Sequence, residues 1–216
     1  MLAVLPFLSL SLPLPAAGPI HLFNGKDLSG WTASLWDRKT RVPDTSTPAS
    51  GVWTVQNGVL VCSGKPSGYL RTAEEFGDYR LEIEWRWPAG STGGNNGVLV
   101  HVTGPNPGGQ WPKSVEVQLA QGDAGDFWVI GTAMNVAREG NLRDGRRLLN
   151  FTDNSEKPSG EWNRMVIEAR RAEIKVWVNG DLVNHGVQCS ETRGAIALQS
   201  EGTPVEFRRL VLTPLK

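Results

Sequence analysis

The chain has 216 residues, with 22 Lys and Arg against 22 Asp and Glu, so its formal net charge is zero. The length suits one domain. The missing basic surplus argues against nucleic acid as the main partner, and no internal run of 18 apolar residues offers a membrane-spanning helix. Hydrophobic residues make up 39% and charged ones 20%, which argues against bulk disorder. Twenty-five glycines and 14 prolines imply many turns, and nine tryptophans against two tyrosines suit a β domain that binds flat ligands such as sugar rings.

Residues 1–17 (MLAVLPFLSLSLPLPAA) are apolar and end in small side chains. They read as a secretory signal peptide cut near Ala17 or Gly18, which leaves a domain over 18–216 exported to the periplasm or medium. Pro6, Pro13 and Pro15 argue against a buried first strand there. Short alternating runs follow at 52–62, 80–87, 97–103, 114–120, 164–170, 173–178, 195–199 and 205–212. This is the pattern of an antiparallel sandwich or barrel. Asn57-Gly58 and Asn179-Gly180 are hairpin turns by composition. Residues 34–50 and 103–112 read as loops. Residues 122–157 read as a long connection of the kind that carries function.

Side chains two apart on a strand share a face. Over 97–103, Val98, Val100 and Val102 form one apolar face, with Gly97, Leu99, His101 and Thr103 opposite. Over 114–120, Val115, Val117 and Leu119 oppose Ser114, Glu116, Gln118 and Ala120. Over 195–199, Ile196 and Leu198 oppose Ala195, Ala197 and Gln199, with Glu201 two residues on. Three strands thus offer a face of small residues with sparse His, Glu and Gln, as a ligand-binding face would. The run 80–87 shows the ordinary solvated kind, with Arg80, Glu82, Glu84 and Arg86 on one side. Trp31, Trp53, Trp162 and Trp177 read as core, whereas Trp111 and Trp128 lie in polar loops where they could stack on a sugar.

No GxSxG elbow, P-loop or dinucleotide fingerprint is present. Cys62 and Cys189 have no metal-ligand spacing. In an exported protein they either pair or stay as buried thiols. The glucanase-like sandwich enzymes carry Glu-x-Asp-x-x-Glu on one strand. Here the run from Glu116 to Gln121 keeps only the first acid, which disfavours two-carboxylate glycosidase chemistry from this strand alone.

Several motifs together resemble one family. They are LFNGKDLSGW at 22–31, WTVQNGVL at 53–60, YLRTAEEFGDYRLEIE at 69–84, NNGVLVH at 95–101, VEVQL at 115–119, GEWN at 160–163, VWVNG at 176–180 and GAIALQSEGTPVEF at 194–207. The family is the domain of unknown function 1080, or 3-keto-disaccharide hydrolase domain. The chain departs from its pattern at Asn96, where serine is usual, at His101, where arginine is common, and after Gln118, where an aspartate commonly follows. The resemblance implies an all-β, concanavalin A-like jelly-roll sandwich with one concave ligand-binding face. It also implies cleavage of glycosides already oxidised at C3, with an upstream sugar 3-dehydrogenase as supplier of substrate. The expected route is C2 deprotonation, expulsion of the C1 oxygen and addition of water. It needs one base, assigned to Glu116, with His101 as alternate base or proton donor. Asn96, Gln118, Gln199, Glu201, Trp111 and Trp128 are the expected substrate contacts. No cofactor is required by the sequence. A divalent cation, if used, would take His101, Glu116 and Glu201, and Glu201 could otherwise orient His101. The alternatives are a non-catalytic carbohydrate-binding module and an ordinary glycoside hydrolase.

Overall fold

The computed structural model describes residues 18–105, 109–137, 143–152 and 154–216. The expected signal peptide lies outside them. Strands follow in the order β1 (Ile20–His21), β2 (Trp31–Asp37), β3 (Val42–Asp44), β4 (Trp53–Gln56), β5 (Val59–Cys62), β6 (Ser67–Thr72), β7 (Tyr79–Arg86), β8 (Gly97–Pro105) and β9 (Pro112–Gln118). The chain continues through β10 (Phe127–Ile130), β11 (Asn135–Val136), β12 (Arg143–Asp144), β13 (Arg147–Leu148), β14 (Asn163–Arg170), β15 (Glu173–Val178), β16 (Asp181–Val187), β17 (Ala195–Ser200) and β18 (Val205–Pro214). One 3-10 turn, Ala49–Gly51, precedes β4.

Every pairing is antiparallel. The first sheet has the order β11-β16-β15-β14-β7-β18-β5-β4, with β1 also on β18. The second runs β12-β13-β10-β9-β8-β17-β6-β2-β3. The hairpin residues act as expected. Asn57 and Gly58 both take positive φ, as do Asn179 and Gly180, so each pair makes the tight turn whose twist matches its strands.

Between the sheets lies the main core. β7 supplies Tyr79, Leu81, Ile83 and Trp85 from alternate positions, β8 supplies Val98 and Val100, β9 supplies Val115 and Val117, and β17 supplies Ile196 and Leu198. Burial of this many apolar groups, at roughly 1.5–3 kcal/mol for each large one, is the main force holding the sheets together. Among the tryptophans, Trp53, Trp85 and Trp87 are buried. Trp162 and Trp177, expected in the core, instead lie on the outer surface of the first sheet. There guanidinium groups cover them: Arg86 and Arg208 sit 4.5 and 4.2 Å from the Trp162 ring, and Arg80 sits 6.0 Å from Trp177. Cys62 and Cys189 are separate buried thiols.

Three stretches read as loops contain strands. β2 and β3 occupy part of 34–50, β8 runs on to Pro105, and β10 to β13 lie within 122–157. Their pairing comes from distant partners rather than from local alternation, which is why composition hid them.

Candidate active site

The second sheet turns one face to the core and one outward. Its outward face carries a cross-strand row read directly from the register. Thr32 pairs with Arg71, Arg71 with Ala197, Ala197 with Leu99, Leu99 with Glu116, Glu116 with Trp128, and Trp128 with Arg147. A neighbouring row contains Ser34, Tyr69 and Gln199, and Gly97 pairs with Gln118. Ala197 and Gly97 are small, so the middle of this face is set low between larger neighbours.

Glu116 stands in this row between Leu99 and Trp128. It is only 5% exposed. Burial pushes its carboxyl up to about 8, and the nearby charge of Glu201 adds to the rise. The Gln199 amide and Arg146 pull the other way without overcoming it. Gly97 makes the arrangement sterically feasible. A Cβ at residue 97 would fall 2.5 Å from Glu116 Oε1 and 2.9 Å from Gln199 Oε1. The glycine of the Asn95-Asn96-Gly97 run is therefore required for space beneath the two side chains.

Glu201 stands just past the end of β17. Burial raises its carboxyl too, opposed by Arg38 and Arg146. An Arg38 guanidinium nitrogen lies 3.5 Å from a Glu201 oxygen. Arg146 also stacks 5.4 Å from the Trp128 ring, so the β12–β13 turn brings a cation to the same place that β2–β3 reaches with Arg38. Gln199 is fully buried, and its amide is turned to the Glu116 carboxyl. Gln118 uses its carbonyl oxygen locally, accepting from the N–H groups of Leu119 and Ala120 at 3.0 and 3.1 Å. Only its amide nitrogen is left for a ligand.

Trp128 lies beside Glu116, flanked by Arg146 and by Arg147, the latter 5.6 Å from the ring. Arg147 is held there by Asp126 at 2.6 Å and Asp123 at 2.8 Å. Trp111 and Tyr69 pack on a second small apolar cluster of Leu99, Val102, Ile130, Ala195 and Ala197, on the same outward face. Glu116, Gln118, Gln199, Glu201, Trp111 and Trp128 thus all serve the outward side of one sheet or its rim.

Two expected site residues do not. His101 takes φ +51° within a β-bulge, where the β8–β9 register shifts between Val100 and Gly104. The extra residue reverses the alternation. Val102, expected in the core, joins the outward cluster, and His101 turns inward. It is fully buried, meets Tyr79 of the opposite sheet edge-to-face at 5.9 Å, and donates from Nδ1 to the Glu191 carbonyl at 2.9 Å. Burial lowers its pKa and keeps it neutral. It is therefore neither oriented by Glu201 nor placed with Glu116. Asn96 also faces inward. Its amide donates to the Gln199 carbonyl at 2.7 Å, the same oxygen that lies 3.7 Å from the core thiol of Cys62. It supports the strand that bears Gln199 and does not line the outward face. The proposed ligand set of His101, Glu116 and Glu201 is consequently not brought together, and no group of three His, Cys, Asp or Glu suited to a cation occurs among the described residues.

The sequence reading missed Arg71 and Tyr69. Strict alternation along β6 would have found them, since Leu70 and Thr72 are buried on the other side. Arg71 is half-buried and has no ion pair or hydrogen bond to its side chain among the described residues. It stands three strands from Glu116, about 14 Å between backbones at the usual spacing, with Ala197 and Leu99 between them. A hollow of about 580 Å³ lies on the first sheet among Arg170, Arg171, Glu173 and Lys175. Those are surface charges, with no buried acid among them.

This architecture is that of the glucanase-like jelly rolls. A β-glucanase from Bacillus licheniformis superposes with a TM-score of 0.56 at 16% identity, covering 93% of this chain and 99% of that one. A candidate glycosyl hydrolase from Parabacteroides distasonis gives 0.63 at 22% identity, over 92% and 95%. The chain belongs to the 3-keto-alpha-glucoside-1,2-lyase-like domain family, whose model matches residues 18–213. A 3-keto-disaccharide hydrolase from Bacteroides thetaiotaomicron is 28% identical over 176 residues, which cover 74% of this chain. The chain spans about half the length of that relative, 55% of it.

Proposed function

We propose that the protein cleaves glycosides already oxidised at C3. The C3 ketone acidifies the C2 proton. Glu116 removes it, and the electron pair of the C–H bond becomes an enolate spread over C2, C3 and the C3 oxygen. The enolate then collapses, restoring the ketone, forming the C1–C2 double bond and breaking the C1–O bond. Glu201 delivers its proton to the departing oxygen. Water then adds across the double bond: its hydroxyl joins C1 as Glu201 takes its proton, and Glu116 returns its proton to C2, which gives the free 3-keto sugar and restores both carboxyls.

The observation that carries this reading is the buried Glu116 carboxyl, raised to about 8, on the outward side of the second sheet among the small residues Gly97 and Ala197. A carboxylate of that basicity is a far better proton acceptor than an ordinary one. Arg71, unpaired across the Ala197 floor, is suited to the oxygen that gains charge in the enolate. Gln199 and the Gln118 amide nitrogen are suited to ring hydroxyls, and Trp111, Trp128 and Tyr69 to the flat faces of sugars.

The test is turnover of 3-keto-trehalose and 3-keto-cellobiose against their unoxidised parents. The keto forms are expected to be cleaved, with Glu116→Gln inactive. Wild-type turnover by that variant would remove Glu116 as the base. The closeness of Glu201 to Glu116 gives ordinary glycoside hydrolysis a second carboxylate, and cleavage of the unoxidised sugars would favour it. Binding of those sugars without turnover of any keto form would favour a carbohydrate-binding module.

A further inference from the structure

Beside Glu201 the face continues into a hollow of about 460 Å³ at the β2–β6 edge, lined by Trp36, Arg38, Lys65, Pro66, Ser67 and Gly202 among others. Its volume is in the ordinary range for small-ligand sites. Strand geometry explains its wall. Leu35 points into the core, so Trp36, next along β2, points outward, opposite Ser67 in the register. Gly202 is fixed by its N–H bond to the Gly64 carbonyl at 2.7 Å. Arg38 belongs both to this hollow and to Glu201. The hollow is thus joined to the proposed acid pair through one guanidinium.

Its chemistry is mixed in a particular way. One half-buried indole is the main flat apolar surface. The acids of this region are engaged locally, Asp44 through both oxygens and Asp37 through one. Asp37 accepts from the backbone of Lys39 and Thr40, and Asp44 from Ser46 and Thr47. The Lys65 ammonium has no partner among the described residues. What remains for a ligand is one aromatic plane ringed by hydrogen-bond donors. A hexopyranose fits this, with apolar C–H groups on one side of its ring and hydroxyl acceptors around its edge. A wholly apolar aglycone would strand the donors without partners.

We propose that this hollow is the leaving-group subsite, which holds the second sugar ring of a disaccharide on Trp36, with Arg38 and Lys65 donating to its hydroxyls. The assignment rests on the reaction proposed above and adds to it the residues that hold the departing sugar. It places the scissile oxygen at Glu201, between Glu116 and Trp36.

The experiment compares kcat/KM for 3-keto-trehalose and for methyl 3-keto-glucoside, whose leaving group is too small to reach Trp36. The wild type is measured against Trp36→Ala and Trp36→Phe. Trp36→Ala is expected to lose about tenfold or more on the disaccharide, the scale of one stacking contact, while staying within about twofold on the methyl glycoside. Trp36→Phe, which keeps a ring, is expected to recover most of the loss. Equal losses on both substrates, or none on either, would overturn the subsite while leaving the reaction in place. A wild type inert on both substrates would overturn the reaction instead. The subsite is then read directly by titrating unoxidised trehalose and following the Trp36 indole N–H by NMR. A saturable shift absent from the other surface tryptophans supports the subsite, and an unmoved indole removes it.

Discussion

The outward faces of the two sheets are built by the same alternation and carry opposite chemistry. On the first sheet Glu82, Glu84, Arg86, Arg164 and Arg208 interlock across strands. Arg164 meets Glu82 at 2.7 Å, while the Arg86–Glu206 and Arg208–Glu84 pairs close at 2.5 Å. The hydrogen bond from Arg164 holds the Glu82 carboxyl below its usual range, and Arg209 and Arg80 help. On the second sheet Glu116 sits low among alanine, glycine and leucine, has a carboxylate for a charged neighbour, and is pushed the other way. Residue type is therefore a poor guide to role. What separates an ion-pair ladder from a candidate base is how deep the carboxyl sits and whether a cation reaches it.

The sharpest break in this contrast is Glu116→Gln. It preserves shape and removes the base, so turnover of a 3-keto-glycoside is expected to fall by about 10²–10⁴-fold. The matched change Glu84→Gln on the opposite sheet should leave turnover within about twofold. If the two variants were equally active, the two faces would not differ in function.

Next comes Gly97→Ala. One methyl at this position overlaps both Glu116 and Gln199. The expected cost is about 1–3 kcal/mol of stability from overpacking, read as a lower denaturant midpoint, together with most of the activity as the carboxyl is displaced. An unchanged midpoint and rate would show that the floor is not as tight as described.

The third measurement is pH dependence, which should have opposite signs for rate and stability. The base works only when ionised and Glu201 only when protonated, so kcat/KM should be bell-shaped, rising with pH as Glu116 ionises and falling as Glu201 loses its proton; the opposite signs concern the rising limb. For stability, below the ordinary value of 4.5 the Glu116 carboxyl is neutral both folded and unfolded. Between 4.5 and about 8 the unfolded chain ionises and the folded one does not. Stability is then lost with rising pH, by at most about 1.4 kcal/mol per unit from this group. Glu156, raised by burial to about 7 while accepting from the Gly122 N–H, acts in the same direction. Glu116→Gln should accordingly stabilise the protein more at pH 8 than at pH 5. An equal melting shift at both would mean that the carboxyl is not raised.

The smallest effect is expected on the ladder. Glu82→Gln removes a carboxyl that bridges Arg164 and lies near Arg80 and Arg209. Partly exposed pairs of this kind contribute about 0–1 kcal/mol each, and raising the salt concentration should shrink the difference further.

Much of this architecture was legible along the chain. The hairpins at Asn57-Gly58 and Asn179-Gly180, the inward valines of β8 and β9, and the shared outward side of Glu116, Gln118 and Gln199 follow from turn chemistry and a period of two. These are properties of a few neighbouring residues, so the sequence alone determines them. His101 escaped because a bulge is a mismatch between paired strands, and one inserted residue exchanges the faces of all that follow. Asn96 escaped because its partner, the Gln199 carbonyl, is 103 positions away. Trp36 and Arg71 become site candidates only because β6 pairs with β17 and β2 with β6. The basicity of Glu116 likewise belongs to no segment of the chain, since it comes from desolvation and from the charge of Glu201 just past the end of β17. Burial and Coulomb fields are sums over spatial neighbours, and tertiary structure alone decides which neighbours those are.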